Sequence, residues 1–208
     1  MQSATCFAGT RNQYGKALYL PVDEKHLQEP TDINGINSIA AEKFHFLYGQ
    51  IYDIKTVSLR MTNTFGPRHQ MKHPRQGVLN WFVRQLIDNK EVSLFGDGTQ
   101  IRDVNFVDEV VEALLLIARS NKSWGEAYNI GGHPVSLKEF VETGIKALGR
   151  GKFSIVKFPK ERKSIEIGNY VADIKKIKEH HGFNPFVSLE DGLLKTFDYY
   201  KKHKGHYW

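Results

Sequence analysis

Segments patterned for strands alternate with segments patterned for helices along most of the chain, and few folds accept that order. Residues 4–8 form a short apolar run that ends in the polar turn GTRNQYG. Over 37–52, Ile39, Ala40, Phe44, Leu47, Tyr48 and Ile51 recur at spacings of one, three and four, which predicts a helix. Residues 56–61 (TVSLRM) are β-branched and apolar enough for a buried strand. A helix over 76–88 follows, with Val78, Leu79, Phe82, Val83 and Leu86 on one face. Residues 91–95 and 101–105 read as strands around Gly96-Asp97-Gly98, and a DG step between such runs predicts a hairpin.

The second half keeps the rhythm. A helix is expected over 110–118 with Asp108 as its cap, then a strand over 126–130 ending at Gly131-Gly132. Ser136 and Glu139 have the S-x-x-E spacing of a capping box ahead of Phe140, Val141, Ile145 and Leu148. A strand near 153–157 and helices near 174–180 and 189–200 complete the set. Strands alternating with helices argue for an α/β fold with a mostly parallel sheet.

Composition narrows the class. Forty percent of the 208 residues are hydrophobic, enough for a core, and no apolar run approaches the ~18 residues a membrane span needs. The opening MQSATCFAGT has no signal-peptide pattern, and the single cysteine, Cys6, allows no internal disulfide. A cytoplasmic protein is expected. The net charge of +6 favours anionic partners, either nucleic acid or a phosphate-bearing small molecule. Its clusters at 68–75, 157–163 and 201–204 read most simply as solvated loops and a terminus. His69 and His73 have H-x-x-x-H spacing, but the flanking Gly66, Pro67 and Pro74 predict a loop rather than a zinc-binding helix, so no metal is expected. The His180-His181 pair ends a helix, where positive charge suits the dipole. Tyr199, Tyr200, Tyr207 and Trp208 read as packing residues rather than a nucleic-acid stacking surface.

No G-x-G-x-x-G opens a helix anywhere, so the usual cofactor-phosphate turn of a dinucleotide-binding sheet is missing. Yet FAGTRNQYG, NTFGPR, LFGDGTQIRDVNFVDEV, AYNIGG and GFNPFVSLEDGL stand in an order that resembles the extended short-chain dehydrogenases/reductases. Within them the sequence is most similar to the NAD-dependent sugar-nucleotide epimerases and dehydratases. That resemblance implies the later part of a Rossmann-like doubly wound parallel sheet plus a small α/β substrate-binding domain. It puts residues 1–66 in the first, with the 126–130 strand returning to it, and 67–208 mainly in the second. It also implies that the first strands of the family's fold, with the NAD fingerprint, are not in this sequence, so that an N-terminal partner chain or a homo-oligomer would complete it.

The resemblance also assigns roles. Thr10 stands where a Ser or Thr contacts the reacting sugar hydroxyl; Tyr14, Lys16 and Cys6 lie close to it in sequence, and Tyr14, on the same turn, is the candidate stand-in for a base, although the family keeps a structural tyrosine there as well. The family's catalytic tyrosine and lysine positions hold Asn34 and Ser38, neither of which takes a proton near neutral pH. Asn63, Asn80, Ser93, Phe95, Arg102, Lys163 and Glu166 fall at positions that bind a nucleoside-diphosphate sugar, UDP-linked in the first instance. Phe95 would stack on the base and Arg102 fork onto the diphosphate. A weak or inactive epimerase/dehydratase relative, with NAD not bound by this chain alone, is therefore the first expectation. A non-catalytic nucleotide-sugar module and a basic nucleic-acid binder are the alternatives.

Overall fold

Strand β2 (Lys55–Met61) buries five consecutive residues, both faces alike, because it lies between two parallel neighbours. β1 (Ala4–Thr10) pairs with it in register from Ala4↔Lys55 to Thr10↔Met61, and β6 (Glu126–Asn129) pairs on its other side. The computed structural model describes residues 4–73, 77–160 and 166–208. Val57 and Leu59 of this sheet are sealed by Val110, Ala113 and Ile117 of helix α3 (Val107–Arg119), and by Ile177 of α5 (Lys175–His181).

Helix α1 (Ile33–Tyr52) starts four residues before the expected Asn37. Asp32 caps it, its Oδ1 accepting the Gly35 N–H at 2.7 Å. A Cβ on Gly35 would come within 2.4 Å of the Asn12 carbonyl oxygen, so only glycine lets the helix start against the turn that follows β1. The apolar spacing gives no hint of that first turn, since NGIN reads as loop chemistry.

A second core lies around β3 (Asn63–Phe65), β5 (Ile101–Phe106) and β7 (His133–Ser136), in the order β3-β5-β7. β3 and β7 are strands that the sequence pattern did not predict. Helices α2 (Val78–Ile87), α4 (Leu137–Leu148) and α6 (Leu189–His203) carry Val83, Leu86, Phe140 and Phe197 into it. Gly192 allows the close approach of α6, because a Cβ there would meet Phe65 at 2.8 Å.

The expected hairpin is not formed. β4 (Val92–Phe95) pairs in parallel with β8 (Phe153–Val156), while β5 pairs in parallel with β3 and antiparallel with β7. Gly96 and Gly98 both adopt left-handed backbone, and Asp97 Oδ1 accepts the Thr99 N–H and hydroxyl at 3.0 and 2.7 Å. Gln100 then donates to the Phe95 carbonyl at 3.1 Å, and the Gly98 and Gln100 carbonyls accept the Lys138 and Leu137 N–H groups at 2.9 and 3.2 Å, so the five residues form a tethered loop that carries the chain from one sheet to another. Asp108 is likewise not a cap. It lies in the first turn of α3, where Glu109 Oε2 accepts the Phe106 N–H at 3.0 Å. Ser136 does cap α4, accepting the Glu139 N–H at 3.0 Å.

Candidate functional site

The C-terminal end of β4, the start of β5 and the first turn of α2 border a groove of about 690 Å³. On β4, Val92 and Leu94 point into the core, so Ser93 and Phe95 alternate outward and line the groove. The Phe95 ring sits 5.6 Å from that of Phe158, centroid to centroid, at 47°. Together they give an apolar wall suited to a flat heterocycle.

Arg102, second residue of β5, supplies the charge. It is 6% exposed, and its guanidinium donates to the Ile101 and Gly168 carbonyls at 3.0 and 2.7 Å and to Glu166 Oε1 at 2.6 Å. Glu166 Oε1 also accepts the Gly168 N–H at 3.1 Å, which fixes the carboxylate. These three partners, against five guanidinium N–H donors, hold the group rigidly and leave capacity for a ligand oxygen.

Arg11 lines the same groove, in the 3-10 turn Arg11–Gln13 that follows β1. Its guanidinium carbon stands 5.4 Å from the centre of the Tyr170 ring. Burial, and then the neighbouring Arg102 charge, lower it to about 10, so it stays charged at neutral pH. Asn12 and Asp32 border the groove beside it, joined by an Asn12 Nδ2–Asp32 Oδ2 hydrogen bond of 2.9 Å.

The remaining expected residues lie elsewhere. Thr10 caps the 3-10 turn: its hydroxyl accepts the Asn12 N–H at 3.3 Å and its own N–H donates to Gln13 at 3.1 Å. Tyr14 is fully buried, donating to Asn129 Oδ1 at 2.6 Å and accepting from Arg60 at 2.8 Å. Burial outweighs the Arg60 charge and pushes the Tyr14 phenol up to about 12. A sealed hydroxyl of that acidity does not act as a base toward a ligand in the groove. Asn80 spends its amide on the Gly66 N–H and the Thr64 carbonyl, at 3.2 and 3.1 Å, and Asn63 lies on β3 with Oδ1 buried. Neither borders the groove. Lys163 lies outside the described residues. The structure therefore brings Ser93, Phe95, Arg102 and Glu166 together. The sequence reading did not pick out Arg11, Asn12, Asp32, Trp81 and Phe158; Arg11 and Asn12 adjoin Thr10 in the same motif, whereas Phe158 carries no local signal.

Asn34 is exposed and Ser38 half-buried on the first turns of α1. Among the described residues no glycine-rich turn of the kind that cradles a dinucleotide pyrophosphate opens a helix. At the end of β6, a Cβ on Gly131 would meet Asp103 Oδ2 at 2.4 Å and one on Gly132 would meet Asn105 Nδ2 at 2.6 Å. Both glycines therefore pack directly against protein side chains. Among the described residues no group of three metal-ligating side chains occurs, and no helix is long and apolar enough to cross a membrane.

Parallel strands with covering helices and a groove at their ends define a Rossmann-like α/β protein. The pattern of the NAD dependent epimerase/dehydratase family matches residues 2–131, and the chain belongs to that family. A Methanocaldococcus jannaschii protein named provisionally as a UDP-glucose 4-epimerase is 32% identical over 90% of this chain and 59% of its own length. The dTDP-D-glucose 4,6-dehydratase of Homo sapiens is 29% identical over 94% of this chain and 56% of its own. The crystal structure of a Thermotoga maritima UDP-glucose 4-epimerase with UDP-glucose superposes with a TM-score of 0.86 at 29% identity, covering 97% of this chain and 64% of that one. The chain thus spans 59% of the first of these relatives and 56% of the second.

Proposed function

We propose that this chain holds a nucleoside-diphosphate sugar, UDP-linked in the first instance, in the groove between β4, β5 and α2. Phe95 and Phe158 take the base, Ser93 its polar edge, and Arg102 the diphosphate, with Glu166 keeping Arg102 in place and facing the ribose. Lys163 adds a second cation in this reading. The observation that carries it is the Arg102–Glu166 pair, 2.6 Å apart and anchored to backbone, beside an aromatic wall in one groove. A guanidinium forks onto phosphate oxygens, and such charge-assisted bonds are about twice as strong as neutral ones.

By itself the chain turns the sugar over weakly or not at all in this reading. Asn34 and Ser38 replace the proton-transferring pair, and Tyr14 at about 12 is phenolate in only about one molecule in 10⁵ at pH 7. No step through NAD is assigned to this chain.

The test is thermal unfolding with UDP, UDP-glucose and NAD, each alone. A ligand at ~100 times its dissociation constant adds about 2.7 kcal/mol, several degrees for a chain of this size. A rise with both UDP compounds and none with NAD is expected. No rise with UDP sinks the proposal.

A second reading, in which the chain works within a larger assembly, has its own support. Phe44, Leu47, Ile51 and Tyr52 leave an exposed apolar face on α1, and β1 has a strand neighbour on one side only among the described strands. Sedimentation at micromolar concentration distinguishes a monomer from a self-associated chain.

A further inference from the structure

Helix α2 borders the groove with two aromatic side chains. Phe82 is 5% exposed and belongs to the core, whereas Trp81 is only partly buried, so its indole is the α2 ring left for a ligand. Three residues on, Arg84 places its guanidinium carbon 5.1 Å from the centre of the Trp81 ring and 5.4 Å from that of Trp208, which lies beyond α6. The cation is itself held from several sides. Its Nη1 donates to the Met71 and Lys72 carbonyls, in the segment that leads to α2. Its Nε stands 3.7 Å from Asp88 Oδ2, and Asp88 Oδ1 accepts the Trp208 indole N–H at 3.2 Å. The Tyr200 ring of α6 packs 5.4 Å from that of Trp208. The contacts Trp208–Arg84–Trp81 thus run from the second core to the wall of the groove.

We propose that Arg84 and Trp208 are positioning residues that lock the Trp81 indole as a wall of the groove, so that it receives the sugar nucleotide already ordered. This rests on the sugar-nucleotide reading above and extends it to residues outside the groove. The reason is entropic. Immobilising a free side chain on binding costs affinity, and a cation held over the ring face removes that cost in advance. A guanidinium suits the task, because its plane stacks on an indole while its edge donates to carbonyls.

Calorimetric titration with UDP tests it, using the 208-residue chain, W81A, W208A, the W81A/W208A double variant and W208F. W81A and W208A should each weaken UDP about threefold to tenfold. In the double variant the two losses should not add, because Trp208 has nothing left to act through. W208F keeps a ring over the cation and should recover most of the affinity. Should W208A not fold, R84K decides. It keeps the charge without the stacking plane and should weaken UDP in the parent but not in the W81A background. Parent-like affinity in W81A or W208A, with UDP bound by the parent, overturns the positioning role and leaves the groove assignment standing. Additive losses make Trp208 a brace of the fold at large and overturn it as well. No binding of UDP by the parent overturns both the inference and the reading it rests on.

Discussion

Arg60 on β2 and Glu42 on α1 form a two-pronged ion pair, at 2.5 Å through Nη2 and 3.0 Å through Nε, with both side chains almost wholly out of water. Ser58 adds its hydroxyl to Glu42 Oε2 at 2.6 Å. Through Tyr14, Arg60 reaches Asn129 on β6, so one polar network ties the first helix to β2, to β6 and to the turn that follows β1.

Replacing Glu42 by Gln leaves a buried guanidinium without its counter-charge, and an expected loss of about 3–5 kcal/mol follows. Urea unfolding of parent and variant measures it. The pH dependence has a defined sign. Burial alone would raise the Glu42 carboxyl, but the Arg60 hydrogen bonds and charge hold it below its ordinary value. Its contribution is therefore full above the unfolded value of about 4.3 and is lost as pH falls through the lower folded value. Stability of the parent should drop in that acid window, and the E42Q variant should lack this component of the drop.

Tyr14→Phe separates a structural tyrosine from a chemical one. Removing the hydroxyl strands Asn129 Oδ1 and one Arg60 donor in the interior, at a cost of about 1–3 kcal/mol. Thermal unfolding should register that loss, while UDP affinity, measured by titration, should stay within about twofold. A large change in UDP affinity at unchanged stability contradicts the placement of Tyr14 outside the groove.

Arg102→Ala removes the proposed diphosphate clamp, and UDP affinity should fall about tenfold to a hundredfold, read by calorimetry. Because Arg102 also holds the Ile101 and Gly168 carbonyls, the melting temperature must be followed in parallel. Arg102→Lys keeps the charge without the fork and should recover part of the affinity. Phe95→Ala should weaken UDP by about 0.5–1.5 kcal/mol through loss of the ring contact, without the salt dependence expected of the Arg102 variant.

Periodic features were legible in the chain, and pairings over distance were not. The buried run of β2 announces itself as an unbroken β-branched and apolar stretch, and the apolar stripes of α2, α3 and α4 because one face in every 3.6-residue turn meets the core. β4 was legible as a strand, but its partner β8 lies about 60 residues on, and a DG step gave a false local answer. Three-residue β3 and four-residue β7 are too short to show a period. In the groove, Phe95, Arg102 and Glu166 were found through resemblance to a family. Arg11 adjoins Thr10 in the same motif but was not picked out, because only the folded groove brings it beside Arg102.

If Asn34 and Ser38 stand at the family's proton-transferring positions, as the proposed reading has it, Asn34→Tyr combined with Ser38→Lys supplies those side chains. Both positions lie on the first turns of α1, where substitution of an exposed Asn and a half-buried Ser should cost little stability. In the proposed reading this chain alone does not hold NAD, because no G-x-G-x-x-G turn opens any of its helices. The double variant should therefore keep the UDP-induced rise in melting temperature, show none with NAD, and form no UDP-galactose from UDP-glucose in the presence of NAD. Epimerisation by the double variant would mean that hydride transfer is supported by surfaces of this chain that the groove assignment leaves out.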